Sequence, residues 1–274
     1  MDETTLKTRI SRRHLFLSPH LDDAALSCGG TIARLAAAEE PVLVVTVFAG
    51  DPDIGRLSPF ARETHVAWGD PAAPYAARRA EDRAAMARLG ATPLHLGFRD
   101  AIYRTDTAGA PIYTSNQVLF GPPHAADELL IDRLEAALRP LVCCLDPTVL
   151  YIPLGVGRHA DHQLVAQTAL RLLSPVETAP ELWWVEDFPY AAGGLPEHAP
   201  DTVAAAQARW GEGAWRSRDV AIDPEVKIEA VGRYVSQVPL LFEDREAMAW
   251  AVRDYAASLS TGLAYAERFW KAEA

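Results

Sequence analysis

His14-Leu15-Phe16-Leu17-Ser18-Pro19-His20-Leu21-Asp22-Asp23 is the stretch on which the reading of this chain turns. Its first four residues form a short, largely apolar run suited to a buried strand, and the polar cluster falls where strand gives way to helix. Asp22 or Asp23 can cap that helix, which Ala25, Leu26, Ile32 and Leu35 carry at helical spacing to about Glu39. Then comes Pro41-Val42-Leu43-Val44-Val45-Thr46-Val47-Phe48, a β-branched run of the kind buried on both faces of a parallel sheet. Strand, helix and strand in this order open a doubly wound α/β fold.

Outward from this unit the alternation continues. Residues 50–75 carry Pro52, Pro59, Pro71 and Pro74 and read as a long loop over the top of the sheet. Ala76 to Leu89 reads as a helix stopped by Gly90, with a third strand at Leu94-His95-Leu96. A second irregular insertion spans about Asp100 to His124, and a helix from Ala125 to Leu138 is ended by Pro140. Thr148 to Ile152 is the next strand, and Pro153-Leu154-Gly155-Val156-Gly157 turns into a helix from His162 to Leu173. A strand at Glu181 to Glu186 and a Gly/Pro-rich loop to about Thr202 follow. Helices are expected around Pro224 to Gln237 and Asp244 to Leu259. The expected fold is a single α/β domain over residues 1–274, Rossmann-like, with a mostly parallel sheet, helices on both faces and a C-terminal helical portion. The segment after about residue 187 has the makings of a small lobe.

At 274 residues the chain can bury a substantial core. Its formal charge of -11 speaks against nucleic acid or an acidic membrane as partner, since both call for clustered Lys and Arg. No run approaches the roughly 20 apolar residues of a membrane helix, and Met1-Asp2-Glu3-Thr4-Thr5 lacks a signal-peptide layout, so a cytoplasmic location is expected. The three cysteines, Cys28, Cys143 and Cys144, suit no disulfide framework and read as small core residues.

A second polar cluster, Gly157-Arg158-His159-Ala160-Asp161-His162, stands at an equivalent strand-to-helix junction. Open α/β sheets place their chemistry at such carboxyl ends. His20 and Asp23 are three apart, so a tight turn into a helix brings both side chains to one side, and His162 completes a His-Asp-His set suited to catalytic zinc. Asp22 points elsewhere, close enough to meet the metal's water as general base. His159 is placed to protonate a leaving amine or stabilise an oxyanion, and Asp161 to orient a neighbouring imidazole. An isolated Asp-Asp is usually a helix cap and an isolated His a surface or satisfied core residue. Two such clusters at matching junctions favour the metal. Zinc in such a set, or another divalent ion, implies hydrolysis of an amide or ester. His14, His65, His95, His124 and His198 lack companion ligands. Ser27 has no G-x-S-x-G elbow, and neither glycine cluster completes a dinucleotide or P-loop pattern.

Pro19-His20-Leu21-Asp22-Asp23 with Gly29-Gly30-Thr31-Ile32, and later His159-Ala160-Asp161-His162, resembles the PIG-L or LmbE-like zinc N-deacetylases. Supporting similarities lie at Arg78, Glu81, Ala85 and Leu89-Gly90, at Leu96-Gly97-Phe98-Arg99-Asp100, at Tyr234-Val235-Ser236-Gln237 and at Glu267-Arg268-Phe269-Trp270. The resemblance implies a Rossmann-like fold and removal of an acetyl group from an N-acetylglucosamine-type sugar or glycoconjugate. It implies His20, Asp23 and His162 as metal ligands, Asp22 as base and His159 as acid or oxyanion partner. Arg78 and Asp100 fall where such enzymes hold the sugar, and Tyr190, in Glu186-Asp187-Phe188-Pro189-Tyr190, where they line the pocket. Leu21, Ala24 and Ala160 depart from the family's usual Pro, Glu and Pro, which points to a subgroup with its own substrate. A zinc hydrolase of a non-sugar amide or ester is the alternative, and an inactive Rossmann-like ligand-binding protein a third. A homo-oligomer is compatible with all of them.

Overall fold

The computed structural model describes residues 13–69, 73–174, 179–193, 195–260, 262 and 264–273. Strand β1 (His14–Ser18) lies between β2 (Val42–Thr46) and β4 (Val149–Pro153), parallel to both. β3 (Thr92–His95) extends the sheet beyond β2, and β5 (Glu181–Val185) extends it beyond β4, all in parallel. β7 (Ala266–Ala272) then pairs antiparallel with β5 and with β6 (Trp215–Ala221), giving seven strands in the order β3-β2-β1-β4-β5-β7-β6.

Side chains alternate across this sheet, as strand geometry requires. Phe16, Val44, Tyr151 and Trp183 face one layer, formed by α1 (Asp23–Ala37), α3 (Pro74–Leu89), α8 (Pro224–Val231) and α10 (Arg245–Ser258). Leu15, Leu17, Val45, Leu150 and Ile152 face the other, formed by α5 (Glu128–Leu145), α6 (Ala160–Leu173) and α7 (Val203–Trp210). Phe16 and Tyr151, register partners on β1 and β4, stack with ring centroids 4.0 Å apart. This pair fixes β1 against β4. The chain order reverses between these two strands, and that is where open α/β sheets form a crevice at their carboxyl ends.

The proline-rich segment before α3 is not wholly loop. It contains α2 (Pro59–Ala67), with Ser58 Oγ accepting from the Ala61 amide at 3.0 Å and Pro59 in the first turn. Ser-Pro is a helix-start signal that the proline count obscured. α5 runs through Pro140 rather than ending there, because Leu134, Leu138 and Val142 continue one buried stripe across it. Proline deletes one backbone hydrogen bond, and burying the stripe outweighs the roughly 3 kcal/mol penalty. The insertion after β3 holds a short helix, α4 (Asn116–Leu119), and α9 (Val238–Phe242) follows α8.

β6 and β7 were not legible as strands, and they insert two strands among the expected C-terminal helices. Both are rich in charge. β6 is the sheet edge, where charged residues are common, and Asp219 on β6 pairs across to Arg268 on β7 at 2.6 Å. Of the cysteines, Cys28 is buried as expected, but Cys143 is exposed on α5; the side chain of Cys144 lies outside the described residues. No helix among the described residues is long and apolar enough to cross a membrane.

Candidate active site

The loop leaving β1 turns so tightly that the His20 amide donates to Asp23 Oδ2 at 2.7 Å. The same oxygen lies 3.2 Å from His20 Nδ1 and 3.3 Å from His162 Nε2, which arrives from the first turn of α6. Neither aspartate caps α1 with its side chain. Asp22 makes no capping hydrogen bond, and the Ala24 amide is served instead by Ser18 Oγ at 3.1 Å. The capping expectation for Asp22 and Asp23 therefore fails for a reason that bears on function: both carboxylates turn toward the crevice.

Each imidazole is held from behind. His20 Nε2 meets Asp161 Oδ2 at 3.0 Å, and His162 Nδ1 meets Asp187 Oδ1 at 2.6 Å. Asp161 also accepts the Ala101 amide at 2.9 Å, while the other oxygen of Asp187 accepts the Gly155 and Val156 amides at 2.7 and 2.9 Å. Metal-bound histidines are oriented in this way, with the distal N–H given to a carboxylate and the proximal nitrogen left to coordinate. Ligand atoms around a tetrahedral ion at about 2.0–2.1 Å lie roughly 3.3 Å apart, so the two distances from Asp23 fit a shared cation. The donor chemistry, two imidazoles and one carboxylate, fits zinc as well.

His159 stands beside this set. Its ring centroid is 4.7 Å from that of His20, and the coordinating atoms of His20, His159 and His162 all lie within 4.8 Å of one another. Its Nδ1, however, accepts the Asp161 amide at 3.2 Å as the cap of α6. The proton of the neutral ring is thereby assigned to Nε2, on the cleft side.

The electrostatics follow from burial against dense charge. Burial opposes the charged form of His20, yet Asp100, Asp161 and Asp23 hold it well above its ordinary value; burial likewise opposes His162, which Asp23 and Asp187 push up to about 10. Asp23 stays well below the carboxylate range despite burial because His162 and His20 both bond it. A cation at this point would take the place of the protons that the cluster otherwise draws onto its histidines. Burial, opposed by Arg78, raises Asp22 to about 7. His159 is driven down, by burial first and then by His20.

These groups open into a cleft of about 1360 Å³. His20, Asp22, Asp23 and His159 are at its floor; Arg78, Asp100 and Tyr190 also line it. Arg78 Nη2 is 3.6 Å from Asp22 Oδ2, and its guanidinium lies over the Trp68 ring at 4.9 Å. Asp100 accepts the Tyr75 hydroxyl at 2.8 Å. Asp161, by contrast, is fully buried behind His20 and does not reach the cleft.

Sequence reasoning missed Asp187 as the partner of His162. The available signal was its place two residues past the carboxyl end of β5, the rule already applied to β1 and β4. It also missed the outer walls, Phe60 and Trp68 around α2 and Leu240 and Leu241 on α9.

The turn before α6 carries a further constraint. Gly157 has φ +86°, and a Cβ there would come within 2.7 Å of the Tyr190 ring. Gly157→Ala is expected to cost about 1 kcal/mol or more through the backbone alone and to displace Tyr190. Thermal unfolding, with acetate release measured in parallel, checks both.

Residues 15–173 match the PIG-L family, described as GlcNAc-PI de-N-acetylase. A 2'-N-acetylparomamine deacetylase of Niallia circulans is 34% identical over 193 residues, 65% of this chain and 68% of that protein. A solved deacetylase of teicoplanin biosynthesis, in a complex described as deacetylase-bog, has a TM-score of 0.77 at 30% identity and covers 94% of this chain and 96% of its own. A zinc-inhibited form of teicoplanin deacetylase gives 0.77 at 29% identity, over 94% and 97%. With the matched segment running from β1 to the end of α6 and so containing both polar clusters, the chain belongs to the PIG-L family of GlcNAc-PI de-N-acetylases.

Proposed function

We propose that this protein is a metal-dependent N-deacetylase that hydrolyses the acetamide of an N-acetylglucosamine-type sugar within a larger glycoconjugate. The observation that carries the reading is the meeting of His20 Nδ1 and His162 Nε2 on one oxygen of Asp23, with Asp22 beside them at the floor of a wide cleft. His20, Asp23 and His162 would hold the ion, zinc by donor type. When bound, such an ion supplies a Lewis acid for the amide carbonyl and acidifies water.

The protein's own groups do the rest. Asp22, as carboxylate, takes a proton from the attacking water and delivers it to the departing amine. His159 Nε2–H donates to the oxygen that gains negative charge, which a neutral imidazole of depressed pKa does without giving up its proton. Arg78 and Asp100 hold sugar hydroxyls, and Tyr190 closes the side next to Gly157. We treat the chain as one domain, since β6 and β7 join the same sheet.

Two features support a substrate larger than one sugar. The cleft exceeds the roughly 300–1,000 Å³ of drug-sized sites, and its outer walls present, beside Leu240, the rings of Phe60, Trp68 and Phe120, faces suited to stacking on sugar or aglycone rings. One relative is named for 2'-N-acetylparomamine, and a solved deacetylase is described in complex with teicoplanin.

The testing experiment is acetate release from N-acetylglucosamine, N-acetylated aminoglycosides and N-acylated glycopeptides. Chelation is expected to abolish release, and zinc to restore it near one equivalent. Because a related enzyme has a zinc-inhibited form, higher zinc is expected to lower the rate again. Release that survives removal of all metal would sink the proposal.

A further inference from the structure

The insertion between β3 and α5 places one arginine behind the metal site. The side chain of Arg104 is only 9% exposed, its guanidinium packed over Phe48 at 5.3 Å and Tyr113 at 5.0 Å. Nη1 donates to Asp161 Oδ1 at 2.5 Å, and Nε lies 3.0 Å from Asp127 Oδ1, a charge contact without hydrogen-bond alignment. Asp127 is itself tied down, accepting the Tyr113 hydroxyl at 2.6 Å. Asp161 uses its other oxygen on His20 Nε2 and on the Ala101 amide. A continuous buried chain therefore runs from His20 through Asp161, Arg104 and Asp127 to Tyr113, and nothing in it reaches the cleft except His20.

We propose that Arg104 is a positioning residue for the metal: by holding the Asp161 carboxylate in place and compensating its charge, it fixes the orientation of His20 and hence the affinity of the site. The proposal rests on the reading of His20 as a ligand. A planar fork is needed because two carboxylates from different elements, one at the start of α6 and one just before α5, must be met at once; an ammonium is a single point charge. The same contact anchors the segment carrying Asp100, so cleft wall and metal floor share one pin.

The test is the zinc dissociation constant, by chelator competition, for wild type, Arg104→Met, Arg104→Lys and Asp127→Asn, with the thermal midpoint of each metal-free protein. Loss of outer partners of metal ligands typically weakens binding roughly 10–100-fold, and Arg104→Met is expected in that range. Arg104→Lys, which keeps the charge but not the fork, is expected to recover only a small part of the loss. Asp127→Asn, which removes a support of Arg104 but no partner of Asp161, is expected to lower the midpoint while leaving zinc affinity near wild type. If Arg104→Met does not fold, Arg104→Gln, which keeps a donor and removes the charge, gives the same reading. Unchanged affinity in the Arg104 variants, or equal weakening in Asp127→Asn, would overturn the proposal in favour of simple fold support. Wild-type protein without stoichiometric zinc would instead remove the ligand assignment of His20, and this inference with it.

Discussion

Asp22→Asn is expected to lower the rate of acetate release by roughly 10²–10⁴-fold, the usual worth of a positioned general base, while bound zinc stays at the wild-type level. The separation is possible because Asp22 is adjacent to Asp23 in sequence but not in role. Asp23 Oδ2 sits between the two imidazoles, whereas the charged partner of Asp22 is Arg78 at 3.6 Å. Asparagine keeps the shape but loses the charge and the capacity to take a proton. Stability gives a second, opposite readout. Burial raises Asp22 to about 7, so in the metal-free fold its ionisation is unfavourable, and that cost grows as pH rises from the ordinary carboxylate value toward 7. The amide has no such cost. The thermal midpoint of metal-free Asp22→Asn near neutral pH is therefore expected to equal or exceed that of wild type. A variant that loses rate and zinc together, or that unfolds, would show Asp22 to be a ligand or a structural group and not the base.

How far the site was legible depended on whether its residues were local in sequence. His20 and Asp23 are three apart on one turn, and His159 and His162 likewise, so their side chains were bound to converge in pairs once each turn followed a strand. The meeting of the two pairs needed one more fact, that β1 and β4 are neighbours, which the apolar runs alone did not establish. Arg104 was not legible because it acts across the fold on a carboxylate 57 positions on, and the place of Asp187 just past a strand end was a signal without a partner, since the groups it holds lie 25 to 32 positions back. The fold shows the same division. The continuous β-branched run of β2 announced itself, whereas β6, with Arg and Asp along the sheet edge, and β7 beside it, with Glu, Arg and Lys among its apolar residues, carry patterns that propensity assigns to no element. α2 fell between these cases: its Ser-Pro start was readable, but its neighbouring prolines argued for loop more loudly.

The second large effect is expected at Asp187. Its carboxylate does two jobs at once, orienting His162 through Nδ1 at 2.6 Å and accepting the Gly155 and Val156 amides that shape the turn into α6. Asp187→Ala removes both. Two buried amides lose their acceptor, at about 1–3 kcal/mol each, and His162 loses the contact that fixes its tautomer, at roughly 10–100-fold in metal affinity. His162 is also the group that lowers Asp23 most, so the weakened ring leaves the shared carboxylate less well compensated. Asp187→Asn separates the jobs. Its side-chain oxygen can still serve the turn or the imidazole, but the charge that stabilises the His162 N–H is gone. The alanine variant is expected to lose stability and zinc affinity together, and the asparagine variant mainly zinc affinity, read by thermal unfolding and by chelator competition. If both variants bound zinc like wild type, His162 would not be a ligand whose orientation matters, and the assignment of the metal to His20, Asp23 and His162 would fall.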